Sequence, residues 1–260
     1  MHLRHAARAI GLAAAFIGAV PLFAACGDAA EPRPAPDAVE TARALSRSVT
    51  IDVPAGPVRQ VAGDPPEAVT LDARVFGSGR TGVILAHMRP ADQTAWFAFA
   101  THLAATGDYT VLTFDFRGYG VSTGHKSFEW LDTDLQAAYD YMRDALGLKK
   151  VFLVGASMGG TASLVVGAHA PTAGIASISA PAQFGTLDAL GAVARITAPQ
   201  LYVTSEGDVP AKHSLEELAA AASGPVDRQV YDGDAHGTNL LDGPHAAELE
   251  QRLIDFLRAN

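Results

Sequence analysis

An α/β fold with a mostly parallel sheet and helices on both faces is what this sequence predicts, and three observations lead there. Five short apolar runs lack the alternation of a half-buried strand and read as strands buried on both faces: 82–86 (GVILA), 110–116 (TVLTFDF), 151–154 (VFLV), 174–178 (GIASI) and 200–204 (QLYVT). Helical patterns stand between them at the spacing of βαβ units. Two segments ahead of them, 48–53 (SVTIDV) and 69–76 (VTLDARVF), alternate apolar and polar residues as half-buried antiparallel strands do.

The helical segments are 94–105, 131–146, 161–169, 187–193, 215–222 and 245–259. In the clearest of them, 131–146, the residues Leu131, Leu135, Ala138, Met142 and Ala145 fall on one face. The last strand is 228–231 (RQVY), which completes a sheet of the eight-stranded type. Parallel crossovers are right-handed. Residues 48–260 are therefore the folded unit, with no internal repeat.

Composition sets the outer limits. The chain has 260 residues, 48% of them hydrophobic and 18% charged, which supplies a sizeable core and excludes wholesale disorder. The net charge is −9 and no long basic block exists, so a nucleic-acid partner is not expected. The single cysteine, Cys26, excludes an intramolecular disulfide and a thiolate zinc site. There is no His-Glu-x-x-His and no Gly-x-Gly-x-x-Gly after a first strand, so neither a metal nor a dinucleotide cofactor is expected.

The first 25 residues read as a signal peptide. Arg4 and Arg8 precede an uncharged apolar run from 9 to 25, too short to span a bilayer comfortably. Ala24, Ala25 and Cys26 then resemble a bacterial lipobox, with Phe23 where the pattern prefers leucine. That resemblance implies a lipidated Cys26 at the mature N-terminus and a membrane anchor in the cell envelope; plain secretion is the alternative. Removing residues 1–25 leaves a net charge of −11. Residues 26–47, rich in Ala and Pro with Pro32, Pro34 and Pro36 alternating, read as an extended tether.

The chemistry centres on Gly155-Ala156-Ser157-Met158-Gly159-Gly160. The motif follows a strand directly and opens a helix, which is the context a nucleophile elbow requires. The flanking glycines let strand and helix approach around a strained serine. On these residues the chain resembles an α/β-hydrolase of the serine-esterase type over about residues 69–260. A second motif, Asp115-Phe116-Arg117-Gly118-Tyr119-Gly120-Val121-Ser122, resembles the turn that follows the family's fourth strand, which is structural there.

The resemblance implies a serine, acid, histidine order along the chain. Ser157 is then the nucleophile. Asp208, in Ser205-Glu206-Gly207-Asp208-Val209-Pro210, matches the acid loop, with Glu206, Asp232 and Asp234 as alternatives. His236, followed by Gly237 after the last strand, matches the base; His213 and His245 read as surface residues. The oxyanion donors implied are the backbone N–H of Met158 and that of Arg89, or of Met88 in its place. Family members often carry His-Gly-x where this chain has His87-Met88-Arg89. His87 reads as a packed structural residue. Arg89 reads as a solvated loop charge, with a contact to an acidic substrate group as the alternative. The pocket is expected among Met88, Arg89, Met158, Phe184, Val209 and Gly237.

Between 178 and 200 there is room for one short helix, so no large lid is expected. The function implied is cofactor-free hydrolysis of a small-molecule or lipid ester through an acyl-enzyme, with thioesters and amides open. A non-catalytic binding lipoprotein on the same scaffold and an envelope acyltransferase are the competing readings.

Overall fold

The computed structural model describes residues 36–56 and 67–260. The expected signal segment, Cys26 and the first part of the tether lie outside these residues. The strands are β1 (Ser46–Val53), β2 (Val69–Phe76), β3 (Thr81–Ala86), β4 (Tyr109–Phe114), β5 (Lys150–Ala156), β6 (Gly174–Ile178), β7 (Gln183–Phe184), β8 (Leu187–Asp188), β9 (Gln200–Ser205) and β10 (Val226–Tyr231). The helices are α1 (Pro36–Ala44), α2 (Phe97–Ala105), α3 (Leu131–Asp140), α4 (Met158–Gly167), α5 (Ala189–Val193), α6 (Val209–Ala221) and α7 (Ala246–Ala259).

Eight strands form one sheet in the order β1-β2-β4-β3-β5-β6-β9-β10. Within this sheet β2 pairs antiparallel with both neighbours, and β4, β3, β5, β6, β9 and β10 pair parallel. The reason is visible in β3. Val83 and Leu85 point into one apolar layer with α2 and α7, while Ile84 and Ala86 point into the other with α3 to α6. A strand apolar at every position needs a helix layer on each face, and only crossover connections supply both. The fold class is as the sequence predicts, and five parallel-strand runs fall within two residues of their expected ends.

Three local readings change. Residues 36–44 are helical rather than extended. Asp37 sits in the first turn, where its carboxylate accepts from the Ala38 N–H, and Arg43 sits in the last, so both charges complement the helix dipole. Ala42 is buried in the layer that holds Phe76 and Phe97, so α1 belongs to the folded unit. The segment 131–146 changes pitch at Tyr141, where a π turn runs to Ala145 and the Leu146 N–H bonds the Tyr141 carbonyl. The extra residue keeps Met142 in the core but turns Ala145 out to solvent. Leu187 begins not a helix but the second strand of the β7–β8 hairpin; α5 starts at Ala189, capped by the Asp188 carboxylate.

The parallel strands all end at one edge of the sheet, and order reverses around β3. A crevice at that edge is where ligands bind in open α/β sheets.

Candidate functional site

Ser157 occupies the turn between β5 and α4 with φ +48°. That region disfavours L-residues, so the surroundings must hold it. They do so through backbone packing. A Cβ on Gly155 would strike the Gly159 carbonyl, and one on Gly159 would strike the carbonyls of Ala86 and His87. The Ser157 N–H is tied to the Ile178 carbonyl on β6 at 2.8 Å. The serine is 8% exposed.

His236 follows β10 and carries the serine's partner. Its Nε2 lies 2.8 Å from Ser157 Oγ, and its Nδ1 lies 2.7 Å from Asp208 Oδ2. An ionised carboxylate only accepts, so Nδ1 holds the proton and Nε2 is free to accept from the serine. Burial pushes the Asp208 carboxyl up, but the His236 hydrogen bond and charge, with donors from Ser179 and the Ala211 N–H, outweigh it. The net is a carboxyl held below its usual value. Of the alternative acids, Glu206 pairs with Lys212, and Asp232 and Asp234 are exposed. His213 is exposed beside Glu217, while His245 is half-buried and stacked on Tyr231 rather than on the surface.

The loop after β3 is fixed by His87. The Phe116 N–H donates to its Nε2 at 3.1 Å, which leaves Nδ1 to donate to the Met88 carbonyl at 2.9 Å. Burial lowers its pKa to about 4, so the ring is a neutral strut. Met88, where family members often have glycine, turns inward. Its sulfur accepts from the Thr238 N–H at 3.4 Å and fills the space beneath Gly237, whose φ is +58°. The glycine missing at 88 is matched by one at 237. Met88 is thus a floor under the His236 loop rather than an open pocket wall, and Gly237 is buried with it. Met158 is buried too, its sulfur 3.8 Å from the Tyr119 hydroxyl. Arg89 and Val209 are exposed, and half-buried Phe184 packs on Phe128 at 5.1 Å.

Behind the site, Arg117 and Asp134 form a buried ion pair at 2.6 Å. Asp115 accepts from the Gln93 N–H and side chain, and burial raises its carboxyl to about 6. Both residues of the second motif are structural, as expected. Segment 179–199 holds the β7–β8 hairpin and α5. Among the described residues no group of three His, Cys, Asp or Glu side chains is placed to hold a metal ion, and no helix is long and apolar enough to cross a membrane.

One residue at the site was missed from sequence. Ser179, directly after β6, is buried with φ +51° and lies 3.4 Å from the Thr204 hydroxyl, which itself donates to Asp208 at 3.4 Å.

The α/β hydrolase fold sequence profile matches residues 82–236, more than half of the chain. The chain belongs to the α/β hydrolase fold family. No curated protein matches it. Solved structures of similar fold include an esterase from Pyrococcus furiosus, with TM-score 0.65, 17% identity and coverage of 88% of this chain and 98% of the other. An enol-lactonase from Burkholderia xenovorans gives 0.62 and 17%, covering 73% and 97%. A malate-bound esterase from Thermogutta terrifontis gives 0.60 and 19%, covering 82% and 98%. At these identities the likeness is one of fold. Within the family pattern, Met88 is this chain's departure, and its contact with Thr238 accommodates it.

Proposed function

We propose that this α/β hydrolase cleaves carboxylic esters through an acyl-enzyme on Ser157. The observation that carries this is the single imidazole of His236 bridging Ser157 Oγ and Asp208 Oδ2. A serine hydroxyl is a weak nucleophile until a base in hydrogen-bond reach takes its proton. Ser157 Oγ bonds the acyl carbon as His236 Nε2 accepts the proton. The carbonyl electrons move onto oxygen, facing the N–H of Met158 and that of Arg89, or of Met88. Collapse expels the alcohol, which leaves with the proton from His236. Water then repeats the sequence, His236 taking its proton, and the carboxylic acid departs. Asp208 holds the imidazole tautomer and stabilises its cation. The chemistry calls for no cofactor.

We further propose that residues 1–25 export the chain and that Cys26 is lipidated, placing the domain at a membrane. Two or more acyl chains are needed for stable anchoring, which a fully acylated cysteine supplies.

The test is hydrolysis of p-nitrophenyl esters from acetate to palmitate by the full chain and by Ser157→Ala, with fluorophosphonate labelling alongside. Turnover lost in the variant supports the acyl-enzyme, and the preferred chain length sizes the pocket. Absence of both turnover and labelling would sink the hydrolase reading in favour of a binding protein.

A further inference from the structure

Three cations converge at the sheet edge away from Ser157. Lys150 opens β5, and the strand register sets Thr81 of β3 beside it, with Tyr109 of β4 on the other side of Thr81. Arg80 immediately precedes Thr81, and Arg258 stands in the last turn of α7. Distances tie that turn to β5. The Lys150 ammonium lies 5.4 Å from the centroid of the Phe152 ring, and Phe152 packs edge-on at 6.1 Å to Phe256, two residues before Arg258. Arg80, Lys150 and Arg258 line one cavity of about 510 Å³, together with Asp108 and Tyr109. β5 is seven residues long and Ser157 follows its other end, so cavity and serine are about 23 Å apart.

The cavity carries more positive charge than its walls neutralise. All three cations are exposed, and none forms an ion pair with a described residue. Asp108 is the acid of the lining, so three cations face one carboxylate. Asp255, one turn earlier on α7, accepts from Gln251, and the terminal carboxylate two residues past Arg258 lies outside the lining. The chain has 28 acids to 19 lysines and arginines, so partners for these cations are not scarce; they are placed elsewhere. Tyr109 adds a neutral donor. The residue is 3% exposed, yet its hydroxyl has no hydrogen-bond partner among the described residues and is not sealed from solvent.

The frame is set before any ligand arrives. The Gly79 N–H bonds the Tyr109 carbonyl at 3.2 Å and the Thr81 N–H bonds the Asp108 carbonyl at 3.3 Å. A Cβ on Gly79 would strike the peptide between Asp108 and Tyr109, so the loop bearing Arg80 lies tight against the start of β4. The Phe152 ring pre-places Lys150. Cations arriving from a loop, a strand start and a helix end suit a tetrahedral oxyanion, whereas one guanidinium fork already satisfies a planar carboxylate.

We propose that Arg80, Lys150 and Arg258 form a phosphate-binding site at the sheet edge opposite Ser157, which takes the phosphate of a soluble phosphate ester or of a lipid headgroup.

The test follows backbone-amide chemical shifts of the full chain in a phosphate-free, low-salt buffer as inorganic phosphate is added. Saturable shifts at Arg80, Thr81, Tyr109, Lys150 and Arg258 are expected, with Kd on the order of 1 mM for a site of exposed contacts. Lys150→Glu should abolish saturation and Arg258→Gln should weaken binding about tenfold. Arg228→Glu, which replaces an exposed cation on β10, should leave Kd unchanged. Circular dichroism checks each fold, and Arg80→Gln serves where another variant is lost. No saturable shift, acetate binding as tightly as phosphate, or a Kd unmoved by Lys150→Glu overturns the site; so does an equal loss in Arg228→Glu, which would mean diffuse attraction. Flotation with phosphatidylcholine vesicles, with and without phosphatidylglycerol, separates the sources. The readout is the increment due to phosphatidylglycerol, so attachment through residues 1–25 cancels. Phosphate shifts with an increment lost in Lys150→Glu assign a lipid headgroup, and phosphate shifts without an increment assign a soluble ester. An increment without phosphate shifts rejects the cavity as the site.

Discussion

Two serines follow adjacent parallel strands with nearly the same positive φ. Ser157 follows β5 with φ +48°, and Ser179 follows β6 with φ +51°. Each is stitched to the next strand by its own N–H, Ser157 to Ile178 and Ser179 to Val203 at 2.7 Å. Their side chains part company. Ser157 meets His236, whereas Ser179 is 1% exposed and faces the Thr204 and Asp208 side of the acid. The difference teaches that a left-handed serine at a strand end is a way of aiming a hydroxyl, and that reactivity comes from what it is aimed at. A base makes a nucleophile; a carboxylate makes a donor that keeps the acid ionised.

The strongest way to break this comparison is at the hydroxyls. Ser157→Ala is expected to lower kcat by about 10⁵- to 10⁶-fold without loss of fold, read by p-nitrophenyl ester turnover and circular dichroism. Next comes Asp208→Asn, which leaves the geometry but spoils the imidazole tautomer; a loss of about 10³- to 10⁴-fold is expected in the same assay.

The frame around the serines responds to pH. His87 is held neutral by burial, with its folded pKa lowered from 6.5 to about 4. The stability it contributes is complete above 6.5 and is lost as pH falls toward 4, about 3 kcal/mol in all. Asp115, raised from 3.8 to about 6, works in the opposite sense and costs stability as pH rises through that window. Urea titrations of wild type and His87→Gln should therefore show their stability gap narrowing by about 3 kcal/mol between pH 7 and 4.

Smaller effects sharpen the contrast. Ser179→Ala should lower kcat/KM by about three- to thirtyfold, one hydrogen bond's worth of support for the acid, and should shift the acid limb of the pH–rate profile. Ser179→Gly keeps the backbone free of strain, and should be about 1 kcal/mol more stable than the alanine variant in thermal melts. The smallest change expected is in Met88→Leu, which keeps the floor under Gly237 but removes the acceptor for Thr238. A few-fold drop in kcat with unchanged KM is its signature, and a rise in KM alone would assign Met88 to the pocket instead.

The legibility of the chain follows the same divide. Ser157 was readable because glycines flank it, and they are there because backbone atoms crowd both sides of the turn. Ser179 has no such flanks: Ile178 and Ala180 stand on either side of it, and the glycine that lets α4 approach the end of β6 is Gly160, far along the chain, so nothing local marked its conformation. Parallel strands were legible because burial on two faces removes alternation, while their exact ends were not. The π turn at Tyr141 escaped because a one-residue insertion in pitch leaves composition untouched. Helix α1 escaped because a proline-rich approach hides a helix whose packed face is small, buried Ala42 with half-buried Val39. His236 was legible from its Gly neighbour, whereas Met88 looked like a departure until Gly237 supplied its other half.

The Met88–Thr238 contact joins residues 150 positions apart, and the Ser157–His236 contact joins residues 79 apart. Contacts of such span are closed late, after local helices have formed, because the loop entropy must be overcome before they reward the chain. Catalytic recovery after dilution from denaturant should accordingly trail the return of helical signal. In this chain enzymatic activity is a clock that strikes only when the last turn of the fold has been made.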